Sequence, residues 1–217
     1  MRGTRILFFA TIALLAGLST AAFAEEPPAV PLPPPQTDGG KPLMQALKLR
    51  ASARAFAPDP LPAQTLSNLL WAAWGVNRPG EGKRTAPSAR NWQEIDLYAV
   101  MEKGAYLYDA TAHQLKPVVS GDIRAAAGTQ DFVKDVPLNV VFVADRKRMK
   151  DAQPEQVEAY AMADAAFVSQ NVYLFCASEG LATVVRASVD KAAFAKAAKL
   201  ADDQLVVFAQ SVGYPKK

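Results

Sequence analysis

The sequence is poor in the residues that form disulfides, zinc sites and hydrolytic triads. It has one cysteine and one histidine among 217 residues. A lone cysteine forms no intramolecular disulfide, and a zinc site normally draws on several such ligands. Ser-His-Asp and Cys-His schemes would have to use His113, which lies among polar residues in a predicted turn and is expected to be solvated. Cys176 lies in an apolar helical segment and is expected to be a buried small hydrophobe.

Nucleotide-binding fingerprints and strong charge are lacking as well. No G-x-G-x-x-G or phosphate loop follows a predicted strand, so a dinucleotide fold lacks its signature. The chain has 24 basic and 21 acidic residues and a formal charge of +3. This balance gives no electrostatic case for a nucleic-acid or membrane partner. Half of the residues are hydrophobic, which is enough for the core of one ordinary domain.

The first 24 residues have the three parts of a secretory signal. Arg2 and Arg5 precede a short apolar run over residues 6–18, and the small residues of Ala22-Phe23-Ala24 follow. The run is shorter than the roughly 20 residues that a spanning helix needs, which argues against a retained anchor. The arginines are not adjacent and no cysteine follows the site, which argues against twin-arginine and lipoprotein signals. The sequence therefore predicts cleavage after Ala24 and a periplasmic or secreted protein.

Cleavage changes the charge of the chain. Removing 24 residues from 217 leaves 193, and the loss of two arginines lowers the formal charge from +3 to +1. Residues 25–42 are dense in proline and glycine, which disfavours helix and sheet hydrogen bonding. The sequence predicts an extended linker there and a single domain over residues 43–217.

Periodicity predicts an α+β fold. Apolar residues at helical spacing predict helices over 43–50, 62–74, 154–179 and 190–200, and the longest of these is apolar enough around its circumference to be central. Strand-like runs cover 95–101, 105–108, 114–119, 138–143 and 205–212, and residues 183–189 are predicted to be a strand or an extended loop. The polar segment 76–92 is predicted to be a loop. Three short strands in succession indicate an antiparallel meander, and the whole predicts a mostly antiparallel central sheet flanked by helices.

A basic segment follows the first predicted helix. Arg50, Ser52 and Arg54 alternate, and in an extended chain alternate side chains share one face. Two guanidinium groups and a hydroxyl on one face suit an anion such as a phosphate. A solvated basic stretch would have the same pattern, so the segment alone leaves both interpretations open.

A second polar segment combines a proline turn with amide side chains. It includes Pro87, Ser88, Ala89, Asn91 and Gln93. Asn and Gln side chains there can present donors and acceptors to a heterocycle. An ordinary polar loop is the alternative.

Taken together, the two segments resemble the nitroreductase family of FMN-dependent oxidoreductases. The shared pattern is R-x-S-x-R-x-F at 50–56 followed by P-S-x-x-N-x-Q at 87–93. It is more similar still to the compact subgroup related to the flavin dehydrogenases of thiazole- and oxazole-peptide synthesis. Residues 104–115, 180–190 and 213–215 resemble a short hairpin, a flavin-facing stretch and a chain ending of that family. The resemblance covers residues 41–217.

The resemblance implies an FMN site. Arg50 and Arg54 would bind the ribityl phosphate, with Ser52 beside it. Asn91 would bond to the flavin ring, and Pro87, Ser88 and Ala89 would shape its pocket. The amides of Ala187 and Ser188, next to Arg186, would lie near the reactive face of the ring.

The resemblance also implies which part of the chemistry the cofactor performs and how the subunits assemble. The flavin would transfer hydride, so no side-chain acid or base is required. A homodimer with FMN at the subunit interface is implied too.

Two departures from the family pattern bear on this reading. Ala182 and Ala187 stand where family members often have glycine, and a methyl group at 187 could limit close approach to the ring. Larger members add basic residues near the C-terminus, where this chain has Lys216 and Lys217. Those lysines are candidates for the phosphate site.

Three functions fit these residues. The first is an exported FMN enzyme that takes hydride from a donor such as NAD(P)H and passes it, in ping-pong order, to a nitroaromatic or quinone. The second is a flavin-dependent dehydrogenase of an exported substrate. The third is a binding protein that keeps the fold without catalysis. Small-molecule donors and acceptors are the expected partners of the first two, and residues 76–86 and 120–136 are the candidate substrate loops.

Overall fold

The computed structural model describes residues 28–216. The predicted export signal over residues 1–24 and the C-terminal Lys217 lie outside the described residues. In the part that is described, the predicted α+β architecture is confirmed: one large antiparallel sheet is flanked by helices.

Seven strands form the main sheet, and each pairs antiparallel with its neighbours in the order β1-β6-β5-β4-β7-β9-β8. These strands are β1 (Val30–Pro31), β4 (Ile95–Met101), β5 (Gly104–Asp109), β6 (Gln114–Ser120), β7 (Leu138–Asp145), β8 (Ala182–Arg186) and β9 (Gln204–Gly213). The predicted meander is the β4-β5-β6 unit.

Four helices accompany the sheet and agree closely with the predicted segments. They are α1 (Leu43–Leu49), α2 (Ala63–Trp74), α3 (Pro154–Glu179) and α4 (Lys191–Ala197). Proline stands at the first turn of α3, where its missing N–H costs nothing, and Gly180 ends the helix at a φ of 72°. The Asp190 side chain caps α4 by accepting a hydrogen bond from the Ala193 amide at 2.9 Å.

The two faces of the sheet bury separate hydrophobic clusters. Leu97 and Phe142 face α2 and α3, whereas their neighbours Tyr98 and Val143 belong to the cluster that includes Phe194 of α4. Because both faces are covered, the central strands are apolar at successive positions. Cys176 of α3 is fully buried in the first cluster, which confirms the prediction for it.

The polar segment after α2 is more ordered than predicted. Residues 76–78 and 83–84 form a two-stranded hairpin, here β2 (Val76–Arg78) and β3 (Lys83–Arg84), so the prediction of a plain loop is wrong there. Its strands are short and polar, so no hydrophobic alternation marks them in the sequence.

The proline-rich segment is extended, as predicted, but residues 28–42 pack along the domain. We call this segment the strap. Val30 and Pro31 pair with Leu115 and Gln114 of β6, so the expectation that proline density excludes sheet pairing is wrong at this point. Pairing is tolerated because these two residues form an edge strand, where a proline need not donate to a second neighbour.

His113 holds the strap against α2 and β5 and is not the solvated loop residue that was predicted. Its Nε2 atom lies 2.7 Å from Ser67 Oγ and 3.0 Å from the Pro33 carbonyl oxygen. Its Nδ1 atom lies 2.9 Å from the Tyr108 hydroxyl. Burial is the main cause that lowers the pKa of His113 below its usual value. The imidazole therefore has a structural role between the strap, α2 and β5.

Within residues 28–216, no helix has both the length and the apolar character needed to cross a bilayer.

Candidate functional site

The basic segment runs from the end of α1 past the edge strand of the sheet. The Ala53 amide donates to the Thr183 carbonyl of β8 at 2.9 Å, and the Ala57 amide donates to the Tyr214 carbonyl at 2.9 Å. These bonds hold residues 50–57 in the extended form that the alternation argument assumes. Ser52 and Arg54 are exposed, and Arg50 is half-buried.

Tyr173 of α3 joins this segment to β8. Its hydroxyl lies 2.8 Å from Ser52 Oγ and accepts a hydrogen bond from the Val185 amide at 3.0 Å. The guanidinium carbon of Arg50 lies 5.4 Å from the centre of the Tyr173 ring. One buried tyrosine thus brings two predicted phosphate-site residues and the predicted flavin-facing stretch to the same place.

We expect Tyr173→Phe to destabilise the fold by about 1–3 kcal/mol, since it removes a hydrogen bond and leaves the Val185 amide without its partner. Urea unfolding of the variant and the wild type measures this difference. Tyr160→Phe on the same helix is the matched control, because Tyr160 packs on Trp92 through its ring. Equal stability of Tyr173→Phe and the wild type would contradict the role given to the hydroxyl.

Two cavities adjoin the basic segment. One, of about 340 Å³, is lined by Tyr173, Ala187 and Phe208 among others. The other, of about 330 Å³, is lined by Arg54 and Lys216 together with Phe56, Phe132 and Asp135. The Lys216 amide donates to the Ala55 carbonyl at 3.2 Å, so the chain ending returns to the basic segment.

The charges of the basic segment are not compensated within the described chain. The ion pairs among residues 28–216 involve neither Arg50 nor Arg54. Two guanidinium groups without acidic partners, next to a hydroxyl and beside open cavities, fit an anionic ligand such as a phosphate.

At the end of β8 the Arg186 side chain is buried, and the two residues that follow are exposed. Ala187 and Ser188 are exposed, and Ala187 does not have a positive φ, so its methyl group causes no backbone strain. The Arg186 guanidinium is buried and donates to the Ala127 carbonyl, Asn139 Oδ1 and Ser211 Oγ. Burial lowers its pKa to about 10. Any ligand contact at position 186 would therefore come from the main chain.

The second polar segment, residues 87–93, contacts a different part of α3. It includes a single 3-10 turn over Ala89–Asn91, and the Ala89 amide donates to Asp164 Oδ2 at 2.8 Å. Arg90 pairs with Asp151 at 2.7 Å. Pro87 and Asn91 are exposed, and Ser88 and Ala89 are half-buried.

A single chain does not bring all predicted site residues together. Asp164, under the second segment, and Tyr173, under the first, are nine residues apart on α3. That spacing corresponds to about 14 Å along the helix and to opposite sides of it. The segment with Asn91 and the segment with Arg50 therefore contact different faces of one central helix.

Three residues that position these segments were not predicted from the sequence. They are Tyr173, Glu94 and Asp164. In the sequence, Tyr173 is one member of an apolar helical run, and the two acids are separated by 70 positions without any motif. Only the fold places them beside the site segments.

Comparison with known proteins places the chain in a family. The sequence model of the Nitroreductase family matches residues 47–214. A nitroreductase-like protein of Methanocaldococcus jannaschii is 30% identical over 152 residues, which cover 65% of this chain and 76% of that protein.

Solved structures agree with this result. A nitroreductase-like protein of Ralstonia eutropha JMP134 is 41% identical with a TM-score of 0.84, and the match covers 87% of this chain and 90% of that one. The NADPH:FMN oxidoreductase of Vibrio harveyi, solved with NAD⁺, shares the fold at 20% identity and a TM-score of 0.60, over 81% of this chain and 69% of that one. The chain therefore belongs to the nitroreductase family and is a flavin-dependent oxidoreductase.

Proposed function

We propose that this protein is an exported FMN enzyme that oxidises a small-molecule donor such as NAD(P)H and reduces a nitroaromatic or quinone-type acceptor in ping-pong order. When bound, FMN supplies the hydride chemistry. The observation that carries the proposal is the arrangement around Tyr173, which holds Arg50 and Ser52 beside Val185 of β8, two residues before the exposed Ala187 and Ser188.

Different residues of the chain bind different parts of FMN. Arg50 and Arg54 bind the phosphate through guanidinium groups that have no acidic partner among residues 28–216, and Ser52 adds a hydroxyl. Lys216 lines the same cavity as Arg54 and adds a positive charge there. The main chain of Ala187, which lines the neighbouring cavity, and of Ser188, which follows it, orients the ring.

A homodimer completes the site in this proposal. Asn91 and its loop lie on the face of α3 opposite to Tyr173, so a second copy would bring its loop of residues 87–91 to the flavin bound by the first. An uncovered apolar stripe on α3 supports this assembly, since Met162 is 40% and Phe167 is 51% exposed. Leu43 and Met44 of α1 are also exposed, at 61% and 76%.

Export rests on the sequence of residues 1–24, with its basic start, short apolar run and A-x-A end. A chain that crosses the membrane unfolded would acquire FMN afterwards. N-terminal sequencing of the protein recovered from the periplasm or medium tests this part of the proposal. A mature chain that begins at Glu25 is expected, and an uncleaved chain in the cytoplasm would overturn it.

Flavin absorbance tests the proposal as a whole. The mature form, residues 25–217, is purified and examined before and after addition of FMN, and stopped-flow mixing with NADH or NADPH follows. We expect bound flavin that is bleached by the nicotinamide. No flavin binding after reconstitution would refute an FMN enzyme.

The second candidate is a flavin-dependent dehydrogenase of an exported substrate. It is favoured by the sequence resemblance to the thiazole- and oxazole-peptide dehydrogenases and by the scarcity of nicotinamide cofactors outside the cytoplasm. Flavin that binds tightly but is not bleached by either nicotinamide would favour this candidate over the first.

A further inference from the structure

Two buried carboxyl groups meet beneath the loop that contains Asn91. Glu94, just before β4, is 0% exposed, and Asp164 of α3 is 2% exposed. They anchor adjacent residues of the loop, Glu94 through Ser88 and Asp164 through Ala89. Two ionised carboxylates side by side in a buried site would repel each other, and a proton on one of them removes this repulsion. Among the described residues, the buried Oε1 atom of Glu94 has no hydrogen-bond partner, which favours the protonated form of this carboxyl group.

Each carboxyl group also holds the loop directly. The Ser88 hydroxyl donates to Glu94 Oε2 at 3.1 Å and accepts from the Gln93 amide at 2.8 Å. The Ala89 amide donates to Asp164 Oδ2 at 2.8 Å. The two carboxyl groups therefore stabilise the conformation of residues 88–93.

The loop requires this support because its backbone is strained. Arg90, Asn91 and Gln93 have φ values of 49°, 56° and 50°. The left-handed region costs a non-glycine residue about 1–2 kcal/mol, although asparagine tolerates it better. Three such residues among four positions persist only when surrounding contacts determine them.

The charges around the pair do not neutralise a second negative charge. From α3, Asp164 faces Glu94, and from the loop side Arg90 is occupied by Asp151 at 2.7 Å. Arg148 and Arg84 bond to the neighbouring Gln93, and Arg148 is paired with Asp96 at 2.5 Å. Burial first, and then the charge of Asp164, raise the pKa of Glu94 to about 7.

We propose that Glu94 keeps a proton beside Asp164 and that the two act as positioning residues, which hold the 88–93 loop in its strained shape only while that proton is present. Loss of the proton would place two negative charges side by side in a buried site and push the anchors of Ser88 and Ala89 apart. The consequence for flavin, through Asn91, rests on the function proposed above.

The direction of the pH effect follows from the two pKa values of Glu94. The folded pKa of about 7 lies above the value of about 4.3 for an unfolded glutamate. The folded state therefore retains the proton longer, and the stabilisation it confers is complete below pH of about 4 and is lost as the pH rises through about 7.

The proton on Glu94 can be tested on the flavin-free protein. Infrared difference spectra of the mature form should contain the carbonyl band of a protonated carboxylic acid at pH of about 6, and this band should fade by pH of about 8.5. Glu94→Gln should remove the band. Glu102→Gln, at the exposed end of β4, is the matched control and should retain it. A wild-type spectrum without the band at pH 6 would overturn the proposal, and that measurement needs no variant to fold.

Flavin titration tests the positioning role. Between pH of about 6 and pH of about 8.5, the FMN affinity of the wild type should fall about fivefold more than the FMN affinity of Glu94→Gln falls. This fivefold difference corresponds to about 1 kcal/mol of binding free energy. The FMN phosphate titrates equally in both proteins, so the ratio removes its contribution. Identical pH profiles in the two proteins would refute the positioning role. If the wild type binds no FMN at any pH, the proposed function fails, while the infrared result still decides whether Glu94 holds the proton.

Discussion

Replacing Arg50 and Arg54 together by alanine is expected to weaken FMN binding by roughly 100-fold or more. Hydrogen bonds to charged groups contribute about 1.5–3 kcal/mol each, and tenfold in affinity corresponds to about 1.4 kcal/mol. The effect should be large because neither guanidinium has an ion pair among residues 28–216 that could compete for it.

Equilibrium titration of the flavin-free mature form, followed by flavin fluorescence, measures this loss. Lys196→Ala on the exposed side of α4 removes one positive charge at a distance from the segment and should leave the affinity unchanged. The unfolding free energy of the double variant should fall only slightly, since the one aromatic contact is that of Arg50 over Tyr173. Unaltered FMN affinity in a folded double variant would remove the phosphate site from these residues.

Phe167→Glu is expected to convert the proposed homodimer into a monomer and to abolish FMN binding with it. Phe167 is 51% exposed in one chain, and its neighbours on the stripe are Met162, Ala163 and Ala166. A carboxylate buried between two such helices would cost on the order of several kcal/mol. The flavin would be lost too, because the partner's loop of residues 87–91 would no longer reach it.

Sedimentation velocity and FMN titration of the same samples give both results. Ala192→Glu, at an exposed position of α4, introduces the same charge away from the stripe and should remain dimeric. Two outcomes would count against the composite site: a wild type that binds FMN as a monomer, or a Phe167→Glu monomer with unchanged affinity.

Local signals made most of the fold predictable. The α3 boundaries follow from Pro154 at one end and Gly180 at the other, and the structure places the helix over the predicted residues. The β4-β5-β6 meander has short turns between apolar runs, so its pairing is local as well. The β2-β3 hairpin was missed because its few residues are polar and carry no alternating pattern.

The parts of the site that were not predictable depend on distant contacts. Alternation alone indicated that Arg50, Ser52 and Arg54 lie together, but nothing local indicates that Tyr173, more than 100 positions later, fixes their place. The contacts of His113 to Pro33 and Ser67 likewise join segments far apart in the chain. In the proposed homodimer, Asn91 would meet the same ligand from a second chain, and no intrachain pattern can reveal such a contact.

The two short extended segments at the margins of the sheet have a consequence for solubility. An open sheet margin presents unpaired N–H and C=O groups that can recruit another molecule's strand. Here Val30 and Pro31 cover one margin with a strand of two residues, one of which has no N–H to offer. At the other margin, the segment around Ala53 lies against β8. Residues that precede α2 thus cover part of the sheet edge at both ends, along Gln114 and Leu115 of β6 and at Thr183 of β8, which shortens the edge open to aggregation.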